Sequence, residues 1–193
     1  MDTQGRIWLY SIHGLFLFDP KNKFTKFYPC TMARSVQCMV QENEDDFFVS
    51  FWEKGLYKFN ARTGDFKLFA FKDQTVRDLI IIKNMQGVKY LLSIHDKINF
   101  IDVKTGKIQE SSNDKKFLWN IQGNYFHRMY IDKTNTVWLA SDLSVQYANN
   151  INKFSIIPIQ VKSKDFDDLF TARPSFLFQD STYNYIGLWY SRG

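Results

Sequence analysis

A strand pattern that returns every forty to fifty residues is the feature that most limits how this chain can fold. The segment 5–19 (GRIWLYSIHGLFLFD) recurs in altered form at 46–60, 90–102 and 136–147, and a fifth copy begins at 185. Aligning the copies makes five positions equivalent, 40 to 48 residues apart: Trp8, Phe48, Tyr90, Trp138 and Ile186. A second set of landmarks keeps nearly the same spacing: Phe24, Phe66, Ile108 and Phe154. A fixed period of this length indicates one supersecondary unit per repeat.

Each repeat predicts four short antiparallel strands. An apolar strand comes first, as at 36–40, and the Trp8-type strand follows after a polar turn. A third strand and a turn rich in Asn, Gly and Lys, such as 61–65, lead to the last strand. Four-stranded units at this spacing are typical of a β-propeller, whose blades bury both faces against their neighbours. Aromatic side chains such as Trp8 and Trp138 would then fill the space between blades.

The predicted fold is all-β, a partial β-propeller of about four to five blades of four antiparallel strands. Its approximate units are 1–35, 36–75, 76–125, 126–173 and 174–193. The competing architecture is a β-sandwich of hairpin strands, which rarely repeats its landmarks in sequence. The incomplete units at both ends favour a propeller fragment, and the alternative is a closed small propeller in which 175–191 pairs with the first blade.

Composition and charge exclude several functional classes. The net charge is +5, but Lys and Arg are spread singly or in pairs, so no phosphate-binding footprint and no nucleic-acid partner are expected. The longest aliphatic run, Leu79–Ile82, is far shorter than the ~20 residues of a membrane span, and no signal peptide is expected because residues 1–6 show no basic region followed by an apolar stretch. Cys30 and Cys38 are too few for a disulfide framework or a zinc site. Neither a metal nor a cofactor is expected.

The first repeat resembles a known family. The residues that match the two-component regulator propeller repeat are Asp2, Gly5, Ile7, Trp8, Ser11, Gly14, Leu15, Phe18 and Asp19. The fourth unit matches it at Asp132, Val137, Trp138, Leu139, Ser141 and Tyr147, with Leu143-Ser144 in the glycine region. The third unit has Asp96-Lys97 where glycine is expected, which predicts a reshaped loop there.

This resemblance implies a role in signalling. Such repeats usually form the periplasmic sensor of hybrid two-component systems in Bacteroidetes-type bacteria, which detects oligosaccharides and controls transcription of carbohydrate-use genes through a histidine kinase. The implied partners are an oligosaccharide, the remaining blades and signalling domains of the same polypeptide, and a second copy in a full-length homodimer. No catalytic residue is expected in this segment. The alternatives are a stand-alone scaffold for protein interactions and, third, a carbohydrate-active enzyme.

Candidate ligand-binding residues fall in two sets. Loops that join second to third strands carry His13, Trp52 and His95, and the long loop 113–124 carries Trp119. An exposed indole suits a sugar-binding surface because pyranose C–H groups stack on an aromatic face, although Trp119 could instead pack beneath its own loop. The second set begins each innermost strand, where polar residues would face the propeller axis as a ligand mouth or as solvated lining: Gln37, Arg77, His127 and Ser175.

Overall fold

The computed structural model describes residues 1–30, 35–83, 87–95, 97–110, 126–141, 144–148, 154–158, 173–179 and 184–189. Within these ranges the chain forms seventeen β-strands and no helix, so the predicted all-β class is confirmed. The strands are β1 (Ile7–Ser11), β2 (Gly14–Asp19), β3 (Phe24–Pro29), β4 (Val36–Gln41), β5 (Asp46–Phe51), β6 (Gly55–Asn60), β7 (Phe66–Ala70), β8 (Asp78–Lys83), β9 (Lys89–Ile94), β10 (Ile98–Asp102), β11 (Ile108–Glu110), β12 (Phe126–Ile131), β13 (Val137–Ser141), β14 (Ser144–Ala148), β15 (Phe154–Pro158), β16 (Arg173–Gln179) and β17 (Asn184–Trp189).

The strands pair with their sequence neighbours into five sheets. Sheet 1 contains β1–β3, sheet 2 contains β4–β7, sheet 3 contains β8–β11, sheet 4 contains β12–β15 and sheet 5 contains β16 and β17. Three sheets in the described part of the chain are therefore complete meanders of four strands and two are partial, as the repeat predicts. Trp8 pairs with Leu17 and Trp138 pairs with Tyr147, which puts the two indoles at equivalent places in sheets 1 and 4.

Sheet 3 departs from the predicted alignment. Tyr90 pairs with Asp102 at the end of the hairpin away from the β9–β10 turn, the place that Asp46 takes opposite Asn60 in sheet 2. Counted from that end, the fully buried Leu92 takes the place of Phe48, so the assignment of Tyr90 to this position is wrong. The sequence alignment matched the aromatic ring of Tyr90 to Phe48 and is therefore shifted by two residues. A shift of two keeps the side chains on the same face of the strand, so the pattern did not reveal it.

The chain divides into two compact units, 1–81 and 82–193. In the first unit, sheets 1 and 2 pack face to face around an aromatic core. The Trp8 ring lies 4.8 Å from that of Phe47, and the Tyr28 ring lies 5.0 Å from that of Phe59. The Tyr28 hydroxyl also donates to the backbone oxygen of Ala61 at 2.7 Å. Aromatic packing between neighbouring sheets, predicted from the propeller repeat, is thus present here.

In the second unit, the buried hydrophobic side chains that are described are mostly aliphatic. Sheet 4 contacts sheet 5 through β12, β13 and β16. The hydrophobic side chains of this unit with an exposed fraction of 1% or less are Leu91, Leu92, Ile94, Ile98, Phe100, Ile101, Val137, Leu139, Ala140 and Val145. Strand β13 therefore carries buried side chains on both of its faces, as expected of a central strand between packed sheets.

A carboxylate turn explains why Asp and Trp recur six residues apart in the repeat. Asp2 Oδ2 accepts from Trp8 Nε1 at 2.9 Å, and Asp132 Oδ2 accepts from Trp138 Nε1 at 2.8 Å. Oδ1 of Asp132 accepts the backbone N–H groups of Thr134 and Thr136, as Oδ1 of Asp2 does at the matching positions. Both indoles are half-buried rather than fully buried, because one end of each is tied to this turn.

Sheet 2 keeps the same turn with different side chains. Glu42 replaces the aspartate, and its backbone N–H still donates to the carbonyl of Asp46 at 2.9 Å. The phenyl ring of Phe48 has no N–H to donate, and the Glu42 carboxylate instead pairs with Lys58 Nζ at 2.8 Å. The backbone of the turn is therefore common to sheets 1, 2 and 4, while its side-chain bonds vary.

We expect Asp132→Asn to weaken the dependence of stability on pH in acid. Burial alone would raise the pKa of the Asp132 carboxyl, but hydrogen bonds from Thr134, Trp138 and Thr136 outweigh it and lower that pKa. Because the folded-state pKa lies below the unfolded one, the carboxylate stabilises fully above about pH 4, and this contribution is lost as the pH falls through the folded-state pKa. Urea unfolding of both proteins from pH 7 to pH 3 measures it.

At pH 7 the same variant should lose about 1 to 3 kcal/mol of unfolding free energy, the usual cost of disturbing a charged buried hydrogen-bond acceptor. Trp138→Phe serves as a control, because it removes one donor and keeps the carboxylate. It should retain most of the acid dependence. Equal slopes of unfolding free energy against pH for the parent chain and Asp132→Asn would contradict the assignment.

Candidate functional site

Three segments of the first unit are hydrogen-bonded to one another at one end of sheet 2. They are the β5–β6 turn and the residues that lead into β4 and β8, and we call this end, with the equivalent β1–β2 end of sheet 1, the upper edge. The backbone N–H of Trp52 donates to the Ser35 carbonyl at 2.9 Å, and that of Glu53 donates to Thr75 Oγ1 at 2.9 Å. The β5–β6 turn is thereby tied to both lead-in segments.

Trp52 presents its side chain outward from this edge. The residue is 45% exposed, although its backbone is fixed by the bond to Ser35. The next residue, Glu53, has φ +52°, a left-handed conformation that costs a non-glycine residue about 1 to 3 kcal/mol. Phe71 and Asp73, in the lead-in to β8, are left-handed as well. Strained backbone conformations of this kind cluster at functional sites, so the upper edge is a candidate site.

Three of the four polar residues predicted to begin the innermost strands occupy β-bulges, whereas Arg77 directly precedes β8. Gln37 falls between the pairs Val36–Phe51 and Cys38–Ser50 and has no partner in the ladder. His127 in β12 and Ser175 in β16 stand at the corresponding interruptions of their ladders. A bulge re-aims the side chain of its extra residue and is common beside functional sites. Gln37, His127 and Ser175 are therefore equivalent in the structure as well as in the sequence alignment.

Arg77 is held close to the start of β4. The carbonyl oxygen of the preceding residue, Val76, accepts from Ser50 Oγ at 2.8 Å and from Cys38 Sγ at 3.6 Å. Gln37 lies next to Cys38 and donates from Nε2 to Ser35 Oγ at 3.1 Å. The upper edge thus contains the Gln37 amide, Arg77 and hydroxyl groups at the end of the first unit that also carries the exposed Trp52.

The remaining candidate residues, His13, His95, His127 and Trp119, lie in different parts of the chain. His13 is exposed in the β1–β2 turn, where its carbonyl accepts from the Cys30 N–H at 2.9 Å. His95, in the β9–β10 turn, and His127 belong to the second unit, and both are half-buried. Trp119 lies outside the described residues. The structure therefore joins His13, Gln37, Trp52 and Arg77 on one unit.

Sequence reasoning missed the residues that fix the upper edge. Ser35 and Thr75 supply the oxygens that tie the β5–β6 turn, and Ser50 supplies the hydroxyl bonded to Val76. A serine near the end of each Trp8-type strand was visible as a repeat landmark. Its bond to a neighbouring segment could not be seen from the pattern.

Metal-binding clusters and membrane-spanning helices are both absent from the described residues. Among these residues no three His, Cys, Asp or Glu side chains stand close enough to hold a metal ion. The same part of the chain contains no helix with the length and hydropathy needed to cross a membrane.

Solved structures with related folds identify the architecture. The extracellular domain of the B. thetaiotaomicron hybrid two component system BT4673 matches 97% of this chain with a TM-score of 0.69 and 18% identity. The corresponding domain of BT3049 matches 95% with a TM-score of 0.65 and 17% identity. Streptogramin B lyase matches 91% of this chain and 56% of its own length, with a TM-score of 0.62 and 15% identity. The chain is a segment of β-propeller fold.

These neighbours confirm the resemblance that the repeat motif indicated, and at such low identity the property shared with them is the fold. The chain spans 24% of the length of each of the two extracellular domains. No protein-family model matches the sequence, and the search of curated proteins found no match.

Proposed function

We propose that this chain is a ligand-sensing, non-catalytic segment of a hybrid two-component sensor histidine kinase that detects oligosaccharides. Its fold neighbours include extracellular domains of such systems, which supports a periplasmic sensor segment. In this proposal, the remaining blades and the signalling domains belong to the same polypeptide, and ligand binding controls transcription of carbohydrate-use genes.

The observation that carries the proposal is the exposed indole of Trp52 on a fixed turn. Ser35, Gln37 and Thr75 place polar groups around this turn, and Arg77 adds a positive charge. An apolar face with a few convergent hydrogen-bonding groups is the usual composition of a sugar-binding surface. Trp119, His95 and His127 remain candidate contacts in the same proposal.

Replacing Trp52 with alanine in the sensor should weaken oligosaccharide affinity about 5- to 150-fold. This range corresponds to about 1 to 3 kcal/mol, the scale for losing an aromatic contact at a binding site. Thermal stability should stay nearly unchanged, because the side chain is not part of the core. Calorimetric titration with a panel of linear and branched oligosaccharides, together with a melting curve, measures both quantities.

Phe24→Ala is the matched control for this prediction. Phe24 is 49% exposed at the start of β3, the opposite end of sheet 1 from the upper edge, so its loss should leave the affinity unchanged. Unaltered affinity with a lowered melting temperature in Trp52→Ala would show that this tryptophan is a structural residue. Release of products from the same oligosaccharides by the purified chain would favour a carbohydrate-active enzyme.

A further inference from the structure

Strand β1 has an open edge. Among the described residues sheet 1 has the order β1-β2-β3, so β1 pairs there with β2 alone, whereas the equivalent strands β5 and β13 lie between two neighbours. Every second backbone N–H and C=O of β1 is consequently directed away from its sheet. Exposed edges are normally protected by charged side chains or proline, and β1 (IWLYS) contains neither.

Side-chain exposure marks the same edge. Leu9 is 56% exposed and Tyr10 is 48% exposed. Their equivalents in the four-stranded sheets are fully buried: Val49 and Ser50 in β5, and Leu139 and Ala140 in β13. In sheets 2 and 4 these positions are covered by an additional first strand, β4 or β12. The remaining three strands of each meander are arranged as in sheet 1, so this strand accounts for the difference in exposure.

We propose that β1 is a docking edge for an antiparallel β-strand from another part of the sensor polypeptide. That strand completes sheet 1 as β4 completes sheet 2 and β12 completes sheet 4. The proposal rests on the proposed function, in which this chain is one segment of a longer sensor. The extracellular domains that share its fold are long enough to contain many further strands, since this chain spans only 24% of each.

The ladder of sheet 2 specifies the chemistry of the missing strand. Met39 pairs with Val49, and Val40 pairs with Phe48, so an apolar residue should pair with Leu9 and another with Trp8. Strands β4 and β12 also share an apolar first residue, a polar bulge residue and a methionine in fourth place. We therefore expect a strand with this pattern of apolar, polar bulge and methionine residues to bind β1.

A register-matched extension of the chain tests the proposal. The sequence Val-Gln-Ser-Met-Val, copied from Val36–Val40 with serine for the cysteine, is placed directly before Met1. Met1 then takes the place of Gln41, because Asp2 is equivalent to Glu42. Hydrogen exchange of the β1 amides should slow by about tenfold or more, since paired edge amides open only with the sheet.

A control extension carries one additional glycine before Met1. The slip of one residue turns the apolar side chains to the wrong face, so β1 exchange should remain as in the unextended chain. Equal exchange of the β1 amides with and without the matched strand would overturn the proposal. Protection of β1 in the unextended chain that appears only together with a dimer, measured by light scattering, would also overturn it and assign the edge to a second copy.

A second variant keeps the proposal testable if the extension disturbs folding. Leu9→Lys in the unextended chain should leave the melting temperature within about 2 °C, because that side chain has no strand beside it. A drop of more than about 5 °C, which corresponds to more than ~1 kcal/mol for a chain of this size, would show that Leu9 is already covered and would overturn the proposal. Neither experiment uses an oligosaccharide, so failure of the proposed ligand class leaves these results unaffected.

Discussion

Replacing Phe59 with alanine should lower the free energy of unfolding by about 3 to 5 kcal/mol, the usual cost of removing a buried phenylalanine. The Phe59 side chain is fully buried between sheets 1 and 2. Its ring centroid lies 4.6 Å from that of Phe66, 5.0 Å from that of Tyr28 and 5.8 Å from that of Trp8. These neighbours belong to different strands and cannot all move into the space, so a cavity would remain.

Urea denaturation followed by far-ultraviolet circular dichroism measures this loss. Phe27→Ala is the control, because Phe27 is an exposed phenylalanine of sheet 1 outside the core between the two sheets. That substitution should change the unfolding free energy by no more than about 1 kcal/mol. Similar losses for Phe59→Ala and Phe27→Ala would mean that the aromatic cluster does not hold the two sheets together.

Replacing Gly55 with alanine should cost about 2 to 5 kcal/mol. Gly55 has φ +104°, which is unfavourable for any residue with a β-carbon. A β-carbon at this place would lie 2.6 Å from the carbonyl oxygen of Phe71 and 3.0 Å from that of Ala70. Both contacts are with backbone that cannot rotate away, so steric strain adds to the conformational cost.

Gly5→Ala separates the conformational cost of a positive φ from the steric cost of the added β-carbon. Gly5 also has a positive φ, +78°, but a β-carbon there would meet no atom within 4 Å. Its replacement should cost only the conformational part, about 1 to 2 kcal/mol. If Gly55→Ala destabilised the chain no more than Gly5→Ala in the same denaturation experiment, close approach of the backbone at Gly55 would not be the reason for the glycine.

The repeat pattern predicted the strands because its conserved spacing follows from turn chemistry. Asp19, Asn60 and Asp102 end the third strand of their repeats, and their Oδ1 atoms accept the backbone N–H groups of the residues two and three positions later. Such turns are encoded within four residues. A pattern that is encoded locally can be read from the sequence, so the meanders and the equivalence of Trp8 and Trp138 were predictable.

The candidate site was predictable only in part. Sequence placed Gln37 and His127 at corresponding positions, but it gave no sign of the bulges that set them apart from the ladder. A bulge depends on how two strands pair, and the sequence of one strand alone does not determine that pairing. The link from Glu53 to Thr75 likewise joins residues that are distant in sequence. Contacts of this kind require the fold before they can be named.

The paired carboxylate and indole give each compact unit a native optical probe. Trp8 belongs to the first unit and Trp138 to the second, and each indole N–H is bonded to an aspartate. Indole emission depends on its surroundings, so unfolding of either unit should shift the fluorescence of its own tryptophan. Because the chain has five tryptophans, variants that retain only one of these two would report the units separately. Coincident or separate transitions would then measure how far the sheets of this propeller segment unfold as one cooperative body.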